Sequence, residues 1–418
     1  MHHTGPELDR AVPALLVKVG HYPQHHGGVG VLRTLGRRGV PVHAMVEDRF
    51  TPAAVCRYTG TPFVRPTTGL EDPGTLVAAL TGIGRSIGRR SVAVATDDEA
   101  ALLLAEHADR LAEYFLLPPV PPGLPRTLAD KGGLHRLCRE HGVPTPRSLA
   151  PADLDELVAV GRDWGYPLVL KNLEAWTRLR APVVAHTTVV PGERELLAAC
   201  PPGAALSVLV QEYLPAEESQ DWITHLYCAA DGGSRLVFTA VKIRGWPPRG
   251  GVTTRALTRD NPVLAEQAAE FCRRIGYRGV ADLDWRFDRR DGQYKLVDFN
   301  PRTGAQFRLF ETLAGVDVVR ALHLDLTGRP IPGAPQDPDR GFVVGQLDLP
   351  AAAAWAWREH RIPPLLLHRR STEHAWLCRD DPLPVAAEAA RFAGTTGRRI
   401  ATAARKHAAA KRTARDRP

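Results

Sequence analysis

Asp284, Asp298, Asn300 and Arg302 are the residues of this chain whose types and spacing most invite chemistry. They lie in "GVADLDWRFDRRDGQYKLVDFNPRTG", two apolar-rich runs joined by the turn "DRRDGQ", which predicts a β-hairpin. Side chains alternate across a strand, so Asp298 and Asn300 share a face, and antiparallel pairing can bring Asp284 near them. Two carboxylates and a carboxamide present oxygen only. Such a hard donor set suits magnesium, which keeps several waters and takes other ligands from phosphates. Zinc prefers His or Cys, and the hairpin has neither. Taken alone, the hairpin fits equally well as a solvated turn with unrelated acids.

Cations precede it. Lys131 follows Asp130 at the start of a helical stretch, and Lys171 ends the apolar run "PLVLK". A lysine at the end of a buried strand must meet an anion or reach solvent. Phosphate oxygens would satisfy both lysines, as would two unrelated surface positions. In "VQEYLPAEES", Glu212, Glu217 and Glu218 follow a strand that breaks at Pro215. Carboxylates there can accept hydrogen bonds from ribose hydroxyls, or can simply be solvated.

These residues need a scaffold. At about 150 residues per domain, 418 residues imply two or three domains. A composition 44% hydrophobic and 24% charged is that of a globular protein, not a disordered one. No run approaches the ~18 apolar residues of a membrane span, and "MHHTGPELDR" lacks the plan of a signal peptide. Six scattered cysteines with no CxxC pair favour reduced thiols, and a cytoplasmic setting is expected. The net charge of +8 favours anionic ligands. Much of the excess sits in the tail "RKHAAAKRTARDRP", which reads as a frayed, solvated terminus.

The fold class follows from the order of elements. Residues 1–117 alternate strands ("ALLVKVG", "PVHAMVE", "SVAVA") with helical stretches, which predicts an α/β domain with a parallel sheet. In it, "GGVGVLRTLGRRG" reads as a glycine turn opening a helix. Proline-rich "LLPPVPPGLPR" (116–126) reads as a linker. An α+β unit spans 126–330, and 340–418 reads as alanine-rich helices with the basic tail.

In order, "DKGGLHRLCREHGVPTPRS", "YPLVLKN", "VLVQEYLPAEES", "AVKIRGWPPRGGVTT" and "GYRGVADLDWRFD…YKLVDFNPRTG" resemble the ATP-grasp superfamily, in particular its carboxylate–amine ligase group of the D-aspartate ligase type. The resemblance implies an ATP-grasp fold of two subdomains over 126–330, preceded by a pre-ATP-grasp domain. It implies that Lys131 and Lys171 hold the phosphates of ATP and that Lys242 approaches them. Gln211, Glu212, Tyr213 and Leu214 would form the hinge that meets adenine, and Glu218 would take the ribose hydroxyls. Asp284, Asp298 and Asn300 would bind Mg2+. Arg302, and secondarily Arg255 after "GGVTT", would face the substrate anion. The chemistry implied is ligation of a small-molecule carboxylate and amine through an acyl phosphate, with release of ADP. Planar Arg302 suits this, since it binds carboxylate or phosphate bidentately. The residues do not select which carboxylate or amine. A homodimer is the default assembly because dimers are the commonest oligomers.

Two features depart from the family pattern. After Lys171, "NLEAWTRLRAPVVAHTTVV" has no glycine where relatives carry a glycine-rich loop, leaving Arg178 or Arg180 to cover the phosphates. Asp282 stands where some ligases place an arginine. Three other functions compete. A bicarbonate-using carboxylase of the purine-pathway type shares the superfamily. An NAD-dependent oxidoreductase rests on Gly28 and Gly30, a partial fingerprint with no final glycine. A nucleic-acid module would rest on a tail without interleaved aromatics, so it lacks a stacking platform. The histidines of "HYPQHHGG" (His21, His25, His26) have no acid or cysteine nearby to complete a zinc site, and they read as a loop facing solvent or substrate.

Overall fold

Strand β1 (Ala14–Val17) is apolar throughout and buried throughout in the computed structural model. Ala14 and Leu16 join one hydrophobic core, and Leu15 and Val17 join another. A continuous apolar run is what a parallel strand covered on both faces requires. The strand lies at the centre of a parallel sheet with β2 (Val42–Val46), β3 (Thr59–Val64), β4 (Ser91–Ala95) and β5 (Phe115–Leu116), in the order β3-β2-β1-β4-β5. The structure describes residues 5–21, 25–174, 182–184, 187–203, 206–247, 251–360 and 371–395. Arg178, Arg180 and the basic tail lie outside these.

The glycines of "GGVGVLRTLG" do not form a turn ahead of the helix. They lie inside it, in His26–Gly36. A Cβ on Gly30 would come within 2.8 Å of the Phe307 ring and 3.0 Å of Arg308 Cγ. The glycines thus let this helix press against the segment that follows the hairpin, a packing reason that involves no dinucleotide. The linker is shorter than its prolines suggest, because Leu124–Ala129 is already helical.

Two further sheets follow. A four-stranded sheet contains β6 (Ser148–Leu149), β7 (Leu168–Asn172), β8 (Thr188–Val190) and β9 (Val208–Glu212), in the order β6-β9-β7-β8. Its own core includes Leu157, Leu168, Leu170, Leu196 and Val210. The seven-stranded sheet runs β14-β13-β10-β11-β12-β15-β16. Its members are β10 (Ser219–Cys228), β11 (Ser234–Trp246), β12 (Val252–Thr258), β13 (Gly279–Asp288), β14 (Gln293–Asn300), β15 (Arg340–Val343) and β16 (Ser371–His374). One face packs on helices Lys131–Glu140 and Pro262–Arg274 through Leu134, Phe271, Trp285 and Phe299. The other face shares a core with the parallel sheet through Ile223, Phe238, Phe307 and Phe310.

The last region holds helix Gly345–Glu359 and a helix over 383–395, as its alanines suggest. It also adds β15 and β16 to the edge of the large sheet. β16, "STEH", has no apolar alternation, so periodicity gives no sign of it. A buried ion pair fixes this region to the first domain, with Arg33 Nε 2.9 Å from Asp381 Oδ2. Among the described residues all six cysteines are unpaired, and no helix is long and apolar enough to cross a membrane.

His26 opens the helix His26–Gly36 with its ring 5.6 Å from Phe342 and 5.8 Å from Trp376. Burial lowers its pKa from 6.5 to about 4. The unfolded chain therefore binds the extra proton first. The stability contributed by neutral His26 is complete above pH 6.5 and is lost as pH falls towards 4. His26→Leu should make urea midpoints less acid-sensitive across that window by about one proton, at most ~1.4 kcal/mol per pH unit. An unchanged slope would refute the assignment.

Candidate active site

The site grows from the β13–β14 hairpin. Its register sets Asp284 opposite Asp298 and Asp282 opposite Asn300, with a bulge after Asp284. On the neighbouring strand β10, Ile223 pairs with Asp284 and Asp221 with Arg286. Period-two alternation therefore gives Asp282, Asp284 and Arg286 one common face.

Crowded carboxylates need counter-charge, and lysines from separate elements supply it. Lys242 of β11 places Nζ 2.7 Å from Asp284 Oδ1. Lys131, the first residue of its helix, donates to Asp298 Oδ1. Asp130 caps that helix by accepting from Gly133 N, and Lys131 N donates to Leu173 O at 2.8 Å just past β7. Lys171 donates to Val297 O at 3.0 Å. Burial pulls the Lys171 pKa down to about 8, helped by Lys131 and opposed by Asp298. Burial likewise disfavours charge on Lys242, but Asp284 and Asp221 outweigh it and raise its pKa. Asp284 is raised by burial and by its neighbours Asp282 and Asp298, against the pull of Lys242.

Lys171, Lys242, Asp284 and Asp298 border a cavity of about 500 Å³ between the four- and seven-stranded sheets. That volume is within the range of small-molecule sites. Its wall includes Gln211, Glu212, Tyr213 and Leu214, with Asp221 and Arg286. Gln211 Nε2 donates to Ser148 Oγ at 2.8 Å, and Glu212 Oε1 accepts from Arg147 N at 3.0 Å, which fixes this end of β9 to β6. Arg244, Trp355 and Arg358 also line it.

Other expected residues lie elsewhere. Glu218 ends a short 3-10 turn, half exposed, 3.8 Å from Arg290 and off the cavity wall. Arg255 Nε lies 3.1 Å from Asp348 Oδ2. Lys131 borders a small pocket beside the main one. Arg302 faces the first domain. Its Nε donates to Asp98 Oδ1 at 3.1 Å and its Nη2 to Asn300 Oδ1 at 3.0 Å. The Asn300 carboxamide also donates to Asp282 O at 3.2 Å.

Asp282 lies 2.7 Å from His225 Nε2, both almost wholly buried. Burial works against its charge, but His225 and Arg302 prevail and hold its pKa below the usual carboxylate range. Sequence reasoning missed this partner, as it missed Arg286, Asp221, Asp348 and Asp98. For Arg286 a signal existed, since it continues the Asp282, Asp284 alternation. For Asp221 and Asp348 none did, because their partners are 65 and 104 residues away.

Comparison with known proteins adds the following. Residues 254–325 match the family described as carbamoyl-phosphate synthase L chain, ATP binding domain. D-aspartate ligase of Enterococcus faecium is 24% identical over 245 residues, 56% of this chain and 58% of that protein. Biotin carboxylase of Allochromatium vinosum is 24% identical over 241 residues, 54% of this chain and 52% of its own. The chain thus spans little more than half the length of the curated relatives it matches. N5-carboxyaminoimidazole synthetase of Staphylococcus aureus superposes with a TM-score of 0.60 at 12% identity, over 85% of this chain and 88% of that one. The biotin carboxylase–β-γ-ATP complex of Campylobacter jejuni gives 0.56 at 14% identity, over 77% and 72%. At such identities the shared feature is the fold.

Gly304 closes the hairpin's exit. A Cβ there would stand 2.4 Å from Asp282 Oδ2 and 2.5 Å from His225 Cε1, both buried side chains that cannot retreat. Gly304→Ala is expected to destabilise by about 1–3 kcal/mol by overpacking, read as a lowered urea midpoint. A midpoint equal to wild type would show that the pair yields.

Proposed function

We propose that this chain, which belongs to the ATP-grasp superfamily, is an ATP-dependent carboxylate–amine ligase. The observation that carries the reading is the pairing of Lys242 with Asp284 and Lys131 with Asp298, on acids that face each other at the floor of the cavity. Gln211 to Leu214 would meet adenine, and Lys171, Lys131 and Lys242 would neutralise the phosphates. Asp284, Asp298 and Asn300 would hold Mg2+. Burial, and then the neighbouring Asp282 and Asp298, raise the Asp284 pKa, and a bound cation would offset both. When bound, the metal would withdraw negative charge from the moving phosphoryl group.

The reaction balances as two steps. A carboxylate oxygen attacks the γ-phosphorus of ATP, the bond to the β,γ-bridging oxygen breaks, and ADP leaves an acyl phosphate. The amine nitrogen then attacks the acyl carbon, the C–O bond to phosphate breaks, and amide, phosphate and a proton result. The protein's part is to position the reactants and stabilise charge. Lys242 would face the transferring phosphoryl group. Arg302, held by Asp98 and Asn300, would orient the substrate carboxylate. Arg255 would act on a substrate anion only through its place beside Asp348.

A bicarbonate-using carboxylase is the second reading, favoured by the extent of the likeness to N5-carboxyaminoimidazole synthetase. ADP release from Mg-ATP separates the two. Dependence on a carboxylate and an amine supports the ligase, whereas dependence on bicarbonate and a ribonucleotide supports the carboxylase. Asp298→Ala and Lys171→Ala should each lower turnover more than about a hundredfold with the fold intact by circular dichroism. Retention of turnover in both would sink the site assignment.

The ribose contact can be tested separately. Glu218 carries it by resemblance but lies off the cavity wall, whereas Asp221 borders the cavity, as Glu212 does, and is steadied by Arg286 Nε at 2.7 Å. Asp221→Asn should raise KM for ATP about tenfold, and Glu218→Gln less than about twofold. The reverse order would return the role to Glu218.

A further inference from the structure

We propose that the cavity end beyond Lys242 is a subsite for a second anionic group on one of the ligase substrates, contacted by Arg244 and Arg358. The proposal deepens the ligase reading and rests on it.

The first ground is charge. Arg244 donates through Nε and Nη2 to Asp348 at 2.9 and 2.7 Å. Arg255 donates through Nε to the same carboxylate at 3.1 Å, and Thr254 Oγ1 lies 3.1 Å from it. One carboxylate therefore serves two guanidiniums whose side chains are only 4% and 12% exposed. Among the described residues no other acid pairs with either. A positive charge left largely out of water without a counter-ion is costly, and an anion arriving there relieves that cost.

The second ground is position. Arg244 borders the cavity two residues along β11 from Lys242. At strand rise that is about 6–7 Å, the reach of a small diacid or a phosphorylated amino acid. Its wall is completed by Ala351, Trp355 and Arg358 of helix Gly345–Glu359 and by Thr253 of β12. Of the acids on the cavity wall, Asp284 pairs with Lys242 and Asp221 with Arg286. Helix Gly345–Glu359, which supplies this wall, lies outside the stretch 254–325 that matches the ATP-binding family.

Isosteric pairs test the subsite. ADP release from Mg-ATP is measured across an amine and carboxylate panel containing aspartate against asparagine, glutamate against glutamine, and O-phosphoserine against serine, each as D and L forms. At least one charged member should exceed its neutral isostere by about tenfold or more in kcat/KM. Arg358→Gln, on the helix surface, should remove most of that advantage through KM. Binding of ATP, read by calorimetry, should stay within about twofold. Equal use of both members in every pair overturns the proposal, as does a preference that survives both Arg358→Gln and Arg244→Lys. The carboxylate and phosphate pairs show which anion is preferred. If no pair releases ADP, the ligase reading fails, and calorimetry of the same charged compounds with a non-hydrolysable ATP analogue decides the subsite by itself. Binding weakened about tenfold in Arg358→Gln then upholds the subsite, and absence of binding by wild type rejects it.

Discussion

Asp284 and Asp298 face each other across a single hairpin, and their mutual repulsion is the constraint to which the surrounding structure answers. Like charges brought close in a protein repel, and the repulsion grows as water is excluded. The chain meets this with lysines from distant elements. Lys131 arrives at a helix start set by the Asp130 cap, and Lys242 arrives on β11 across the sheet. Each lysine is useful only if its element is held in place. The helix is held by its bond to Leu173, and β11 by its ladders to β10 and β12. Paired like this, the acids and lysines are ready to exchange partners with phosphate and metal.

Much of this was legible in the sequence where the signal is local. The turn "DRRDGQ" and the alternation either side of it mark the hairpin. "PLVLK" marks a buried strand ending in a cation, and Asp130 before "KGGL" marks a capped helix start. Order along the chain carried the rest of the resemblance. What local pattern does not carry is the identity of partners far apart in sequence. Asp221 with Arg286 and Asp348 with Arg244 are made by strand register and by a helix laid over the sheet. The glycines of the first helix misled for the same reason, since their purpose is a contact with Phe307 and Arg308.

The first domain is more than a preface. Asp97 caps the helix Asp98–Glu106 and also accepts from the Val19 and Gly20 amides. That brace sets Asp98 at the end of β4, where it meets Arg302. The arginine is thus oriented from two sides, by Asp98 of the parallel sheet and by Asn300 of the hairpin. Neither domain alone fixes its direction.

The distribution of cores divides the molecule mechanically. The parallel sheet and the seven-stranded sheet share one apolar core, whereas the four-stranded sheet has a core of its own. The first two therefore behave as a single foundation, and the third as a jaw resting on it. Polar ties such as Lys171 to Val297 O join the jaw to the foundation across the cavity. Such ties exchange with water at small net cost, while a shared core does not. The hairpin that opposes Asp284 to Asp298 thus belongs to the foundation, and Lys171 to the jaw.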